Sequence, residues 1–106
     1  MGTSGKLVAS RGCDYVTGTE EFTARNGHIF MFRSADNLTE IGTFDELPVE
    51  VVNDAWVFGA DSTAVTYATD ERTYLNVALP NLTEIWFDGP VTALTLAAGS
   101  GWVYYN

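Results

Sequence analysis

His28 and Cys13, the single histidine and the single cysteine of the chain, are the first places where chemistry could reside. His28 follows Asn26-Gly27 and precedes Ile29-Phe30, which places it at the first position of a strand after a tight turn. No serine or cysteine joins it in a nucleophile–base motif, so a surface or packing role is expected and a triad has no support. Cys13 stands between Gly12 and Asp14, with Arg11 as the only nearby cation. A thiol becomes reactive through a base or a positive neighbour, and Asp14 works against that, so Cys13 reads as small and inert. One cysteine also excludes an intrachain disulfide framework and a thiolate zinc cluster.

Paired carboxylates are the next resource, and Glu20-Glu21, Asp45-Glu46 and Asp70-Glu71 are adjacent pairs. Glycoside hydrolysis needs two carboxyls facing one bond, whereas neighbours on a strand point to opposite faces. All three pairs read as solvated acids at turns or strand starts. Oxygen-rich turns such as Asp36-Asn37, or Asn53-Asp54 with Asp61-Ser62, offer hard ligands of the kind calcium takes, but no spaced Asp-x-Asp-x-Asp-Gly loop exists. The expectation is therefore no catalytic residue, no cofactor site and no metal site, and a protein that is not an enzyme.

The elements that would position any site are strands. Short β-branched and aromatic runs recur between Gly, Asn, Asp and Pro, predicting strands near 6–10, 14–17, 21–24, 28–33, 39–44, 49–52, 55–59, 64–69, 73–79, 84–87, 91–97 and 102–105. Pro48 and the valines after it favour a turn entering a strand over a helix. Leu75, Val77 and Leu79 alternate with Asn76 and Ala78, the period of a strand buried on one face. Ile29-Phe30-Met31-Phe32, Ile85-Trp86-Phe87 and Trp102-Val103-Tyr104-Tyr105 are apolar on both faces, so a second sheet or another subunit must cover them. At 106 residues the chain makes one domain, residues 1–106. The fold class is all-β: an antiparallel β-sandwich or small barrel of short strands with little or no helix.

Charge narrows the partners. Fourteen acids against five bases give a net charge of −9, and the bases Lys6, Arg11, Arg25, Arg33 and Arg72 are scattered. Such a surface repels phosphate backbones and anionic lipid, so neither nucleic acid nor membrane is an expected partner. No apolar run approaches the roughly 18–20 residues of a membrane span. The N-terminus lacks an apolar signal core, and Lys6 stands where a myristoylation motif wants Ser or Thr, so synthesis in the cytoplasm is expected. Without a secretion signal, the glycosylation triplets Asn37-Leu38-Thr39 and Asn81-Leu82-Thr83 read as turn-to-strand sequence.

Those triplets belong to an internal echo: Asn37-Leu38-Thr39-Glu40-Ile41 returns 44 residues later as Asn81-Leu82-Thr83-Glu84-Ile85. The spacing matches a propeller blade of about 40–45 residues, yet the chain holds little more than two such units and propellers need about four blades to close. Two similar turn-to-strand openings within one sandwich are the favoured reading. A propeller-like repeat, or a sandwich module that binds a protein or glycan, is the alternative. Aromatics make up 13% of the chain, including Trp56, Trp86 and Trp102. Most are expected in the core, with Tyr104 and Tyr105 expected at an interface.

The stretch Cys13 to Ala24, followed by Gly27-His28-Ile29-Phe30-Met31, resembles the opening of small virion proteins of tailed bacteriophages. Leu79-Pro80-Asn81, then Ile85 to Tyr105 without a break, is similar to their ending: a Leu-Pro-x-Gly turn, an aromatic or Ile strand, an Ile-Thr-Leu type strand, a Ser-Gly turn and a last short strand. Asn81 replaces the glycine expected in the Leu-Pro turn, and residues from Asp45 to Arg72 have no counterpart. The resemblance implies a non-enzymatic capsid decoration (cement) protein on the virion exterior, made in the host cytoplasm. Its implied partners are itself, as a homotrimer, and the major capsid protein or another virion protein. Tyr104, Tyr105, Phe30 and Phe32 are the residues expected at the subunit interface.

Overall fold

A computed structural model describes residues 11–47, 49–52, 55–58, 64–67 and 72–106. Among them lie nine strands: β1 (Cys13–Thr17), β2 (Phe22–Thr23), β3 (Ile29–Ser34), β4 (Glu40–Glu46), β5 (Val49–Val52), β6 (Ala55–Phe58), β7 (Val65–Tyr67), β8 (Glu84–Ala98) and β9 (Ser100–Tyr105). Every pairing is antiparallel, and no described residue is helical. The all-β expectation holds. The strand expected near 6–10 lies outside the described residues.

Seven strands form one sheet in the order β1-β9-β3-β8-β4-β7, with β2 also on β8, while β5 and β6 pair separately as a hairpin. The sheet curls on itself into a half-barrel, and β8 is where it folds. Its first arm runs down β3 from Glu84, opposite Arg33, to Val91, opposite Ile29. Its second arm runs back up β4 from Val91, opposite Glu46, to Ala98, opposite Glu40. Between Trp86 and Val91 the register against Met31 and Ile29 jumps, and that gap holds Phe87-Asp88-Gly89-Pro90. Pro90 has no N–H to give a ladder, and its carbonyl accepts from Leu47 N at 2.9 Å instead. The two strands expected at 84–87 and 91–97 are thus two arms of one bent element.

The bend makes two layers. One is β1-β9-β3 with the first arm of β8; the other is β2, the second arm of β8, β4 and β7. Val16, Ile29, Phe32, Ile41, Phe44, Leu75, Val91, Leu94, Leu96, Val103 and Tyr105 are buried together as the core. Phe44 anchors its lower layer, with Tyr67 at 5.2 Å and Phe87 at 5.0 Å between ring centroids. Burial at roughly 25 cal/mol per Å² of apolar surface makes this cluster the main favourable contribution to folding.

One expected strand is absent. Thr73 to Asn76 form a turn, closed by Leu75 N donating to Arg72 O at 3.2 Å. Asn76 takes a positive φ of 55°, and the alternation is lost there: Leu75 and Leu79 are buried, but Val77 is exposed. Asparagine tolerates left-handed backbone better than most residues, and one such residue ends a strand's period of two.

The five-residue echo is real in three dimensions. Each copy is a turn that opens a strand, β4 or β8, with the leucine left-handed at φ 63° for Leu38 and 65° for Leu82. In each, the threonine hydroxyl donates to the carbonyl three residues back: Thr39 to Asp36 at 2.9 Å and Thr83 to Pro80 at 2.7 Å. Both openings feed the same seven-stranded sheet.

Both turns lie at the end of the molecule where the chain changes layers. Gly99 carries it from β8 to β9 with φ 81°, and a Cβ there would stand 2.6 Å from the Thr39 Cα. Buried hydroxyls tie this end together. Ser34 Oγ donates to Pro80 O at 2.6 Å and accepts from Thr83 N at 2.8 Å, while Ala35 N donates to Ser100 O at 2.9 Å. Thr39 Oγ1 lies 3.1 Å from Ser100 O. Satisfied hydrogen bonds permit such polar groups to be buried.

Candidate functional site

Alternation along β1, β9, β3 and the first arm of β8 sends one set of side chains into the core and the other to the outer face of the first layer. Gly101 fixes the phase of β9. A Cβ on it would lie 2.2 Å from the Phe32 ring and 2.7 Å from the Arg33 carbonyl, so only glycine fits facing inward. Trp102 therefore faces outward.

The register then aligns the outer residues in two rows. The first is Tyr15, Trp102, Arg33 and Glu84; the second is Cys13, Tyr104, Met31 and Trp86. A bulge between Ile29 and Met31 adds Phe30, whose ring is 5.6 Å from that of Trp86. Tyr15 and Trp102 pack at 5.1 Å with their planes tilted by 58°, as aromatic pairs prefer. Tyr15, Trp86 and Trp102 are all exposed, and Tyr104 and Phe30 are partly so. The outer face of the second layer is different. It carries Thr23, Thr43, Thr95, and Asp45 hydrogen-bonded by Thr66 Oγ1 at 2.6 Å. One layer presents large aromatics and the other short polar groups.

Arg33 sits in the middle of the aromatic face. Its Nη2 donates to the Tyr104 hydroxyl at 2.7 Å, and its Cζ stands 5.5 Å from the centre of the same ring. Its Nε is buried without a hydrogen-bond partner.

The four residues expected at an interface divide evenly. Phe30 and Tyr104 lie on the aromatic face. Phe32 and Tyr105 are core residues, both 0% exposed, and their alternation with Met31 and Tyr104 is what turns them inward. The outward role expected of Tyr105 belongs to Trp102. Trp86 and Trp102 lie in the runs whose two apolar faces call for cover, whereas Tyr15 and Arg33 join the face only through strand register.

Tyr105 closes the lower corner of this layer. Its hydroxyl donates to Asp14 Oδ2 at 2.7 Å, and the Arg25 guanidinium pairs with the same oxygen while standing over the Tyr105 ring at 5.3 Å. The Arg25 hydrogen bond holds the Asp14 carboxyl below the usual range. Burial, then the Asp14 hydrogen bond, pushes the Tyr105 phenol up to about 12.

His28, Cys13 and the acid pairs do not form a common site among the described residues. His28 is half-buried before β3, its carbonyl accepting from Asn106 N at 2.9 Å, and its pKa is lowered by burial and then by the charge of Arg11. Cys13 is exposed beside Tyr104. Glu20 and Glu21 are exposed, but Glu46 is not the solvated turn acid expected. It ends β4 in a buried position, with its Oε1 3.4 Å from Arg72 Nη2, because Arg72 lies against the Tyr67 ring at 4.2 Å and brings its charge inward. Asp36 and Asn37 form a turn. Asp70-Glu71, Asn53-Asp54 and Asp61-Ser62 lie outside the described residues. Among the described residues no three His, Cys, Asp or Glu groups gather to hold a metal ion, and no helix is long and apolar enough to cross a membrane.

The architecture defined so far is an all-β fold, an antiparallel sheet curled into a half-barrel with one aromatic outer face. Comparison with protein-family models, curated proteins and solved structures finds no match.

Proposed function

We propose that the chain is a non-enzymatic structural protein of a phage virion, a capsid decoration (cement) protein that stabilises the shell through protein–protein contacts. The observation that carries the reading is the aromatic outer face of β1, β9, β3 and the first arm of β8. Interface cores are enriched in Tyr, Trp, Phe, Met and Arg, and the face is built from those types apart from Cys13 and Glu84 at the ends of its rows. The segments that resemble phage virion proteins supply Tyr15, Phe30, Met31, Trp86, Trp102 and Tyr104 of this face, while Arg33 and Glu84 lie outside them. A net charge of −9 suits a protein held away from packaged DNA. In this reading the face docks on the major capsid protein or another virion protein, and the protein assembles with itself as a homotrimer on the capsid exterior.

The test is co-sedimentation of the purified protein with shells assembled from the major capsid protein of the same genome. Saturable binding is expected, weakened about 30-fold or more by Trp102→Ser with Trp86→Ser, as loss of hot-spot tryptophans does. No binding, or binding indifferent to both changes, overturns the reading. A glycan-binding module is the second reading, favoured by the exposure of Trp86 and Trp102. It expects tryptophan fluorescence to change with added oligosaccharide and shells to be ignored.

A further inference from the structure

Among the described residues, Arg33 has no carboxylate partner, in a protein of net charge −9. Arg25 pairs with Asp14 and Arg72 with Glu46, while Arg11 is exposed and reaches only the neutral Asn26 side chain at 3.5 Å. Arg33 has only the neutral Tyr104 hydroxyl and ring. Glu84 is its direct cross-strand neighbour on β8, yet no ion pair joins them, because the guanidinium leans the other way onto Tyr104 of β9. Its Nε is buried and has no acceptor. Leaving a charged donor buried and unmet is costly, so the site is incomplete as it stands.

The missing group has a definite chemistry. A guanidinium edge of Nε and one Nη presents two parallel N–H donors, and the acceptor that matches both is a carboxylate. Nε lies beneath the neighbouring side chains, so the carboxylate must enter the aromatic layer and cannot rest on top of it. A short acidic side chain on a protruding partner segment fits that requirement. The surrounding rings, Trp102 and Tyr15 on one side and Trp86 on the other, exclude water and strengthen the contact.

We propose that Arg33 is the recognition point of the aromatic face: a socket for an aspartate or glutamate side chain presented by the partner protein. The inference rests on that face being the docking surface and names what the surface recognises.

The experiment is an NMR titration of the whole chain, following the Arg33 Nε–H and the indole N–H signals of Trp86 and Trp102. The probes are N-acetyl-glutamate amide and its neutral isostere N-acetyl-glutamine amide. The Arg33 and Trp102 signals are expected to move saturably with the carboxylate, with affinity about tenfold or more above that for the amide, the factor that 1.4 kcal/mol provides. Arg33→Met keeps an apolar stem in the layer and is expected to abolish the Trp102 shift while the other amide signals stay in place. Glu84→Gln is expected to leave the affinity equal or raised. Equal response to both probes, no response, or a Trp102 shift that persists in Arg33→Met overturns the socket. So does a loss of response in Glu84→Gln. Docking on shells that is lost in the tryptophan variants but untouched in Arg33→Met would sink this inference while leaving the proposed function standing.

Discussion

The backbone amide of Asn81 donates to the side-chain oxygen of Asn37 at 3.0 Å, joining the first residues of the two echoed turns. The copies are therefore neighbours in space as well as in pattern, and each presents its leucine to solvent, Leu38 at 67% and Leu82 at 65% exposure. A bulky side chain in left-handed backbone is strained, and the buried hydroxyls of Ser34 and Thr39 hold the segments that keep it there.

Relieving that strain should stabilise the fold. Asparagine accepts left-handed geometry, so Leu38→Asn and Leu82→Asn are each expected to raise stability by about 1 kcal/mol, the lower end of the cost of a left-handed L-residue. Urea unfolding of each variant and of the pair measures this. A fall in midpoint would mean that the exposed leucines contribute packing that their exposure does not suggest.

Much of the architecture was legible because strand periodicity is a local signal. Trp102 to Tyr105 alternates in sequence and in space, and the echo announced two equivalent turns. What was hidden depends on contacts far apart in the chain. Phase is one case: whether Trp102 or Tyr105 faces outward is decided by the fit of Gly101 beneath the Phe32 ring, a contact across two strands. The aromatic face is another, since Tyr15, Trp86 and Trp102 come together only through β9 lying between β1 and β3. The turn at Thr73 to Asn76 hides because Leu75, Val77 and Leu79 alternate as a strand would, and a single left-handed Asn76 breaks the pattern without altering the composition.

The same threonine hydrogen bond sits in two different environments, which allows its contribution to be read against burial. Thr39 is fully buried, and its hydroxyl also accepts from Ser100 N at 3.4 Å, whereas the Thr83 bond is exposed. Thr39→Val should cost about 1–3 kcal/mol, as expected when buried partners are left unmet, and Thr83→Val clearly less. Equal costs in denaturant unfolding would show that the layer-switching end is more open to water than these bonds imply.

Gly101 allows a sharper test of packing. Gly101→Ala drives a methyl into the Phe32 ring and toward the Arg33 carbonyl, and backbone does not yield as a side chain can. A loss of about 3 kcal/mol is expected, the upper range for overpacked cores. Adding Phe32→Leu should recover part of that loss, visible as a coupling in a double-mutant cycle. Strict additivity of the two changes would contradict the contact.

Stability should also carry the signature of the Asp14–Tyr105 corner at both ends of the pH scale. The folded-state pKa of Tyr105 is raised from 10.0 to about 12, so the folded chain holds a proton that the unfolded chain has already released between those values. Its contribution is fully present below pH 10 and is lost as the pH rises through 12. Asp14 behaves in the opposite sense. Its pKa is lowered from 3.8, so its contribution is present above that value and lost as the pH falls through the lowered one. Urea midpoints measured from acid to alkaline pH should therefore show Tyr105→Phe flattening the alkaline limb and Asp14→Asn flattening the acid limb. Tyr105→Phe should lower stability at neutral pH by only about 0.5–1.5 kcal/mol, because the ring stays in the core while one hydrogen bond is removed. If Tyr105→Phe keeps the wild-type slope between pH 10 and 12, the phenol is not the group that titrates there, and the corner does not hold in solution the geometry described.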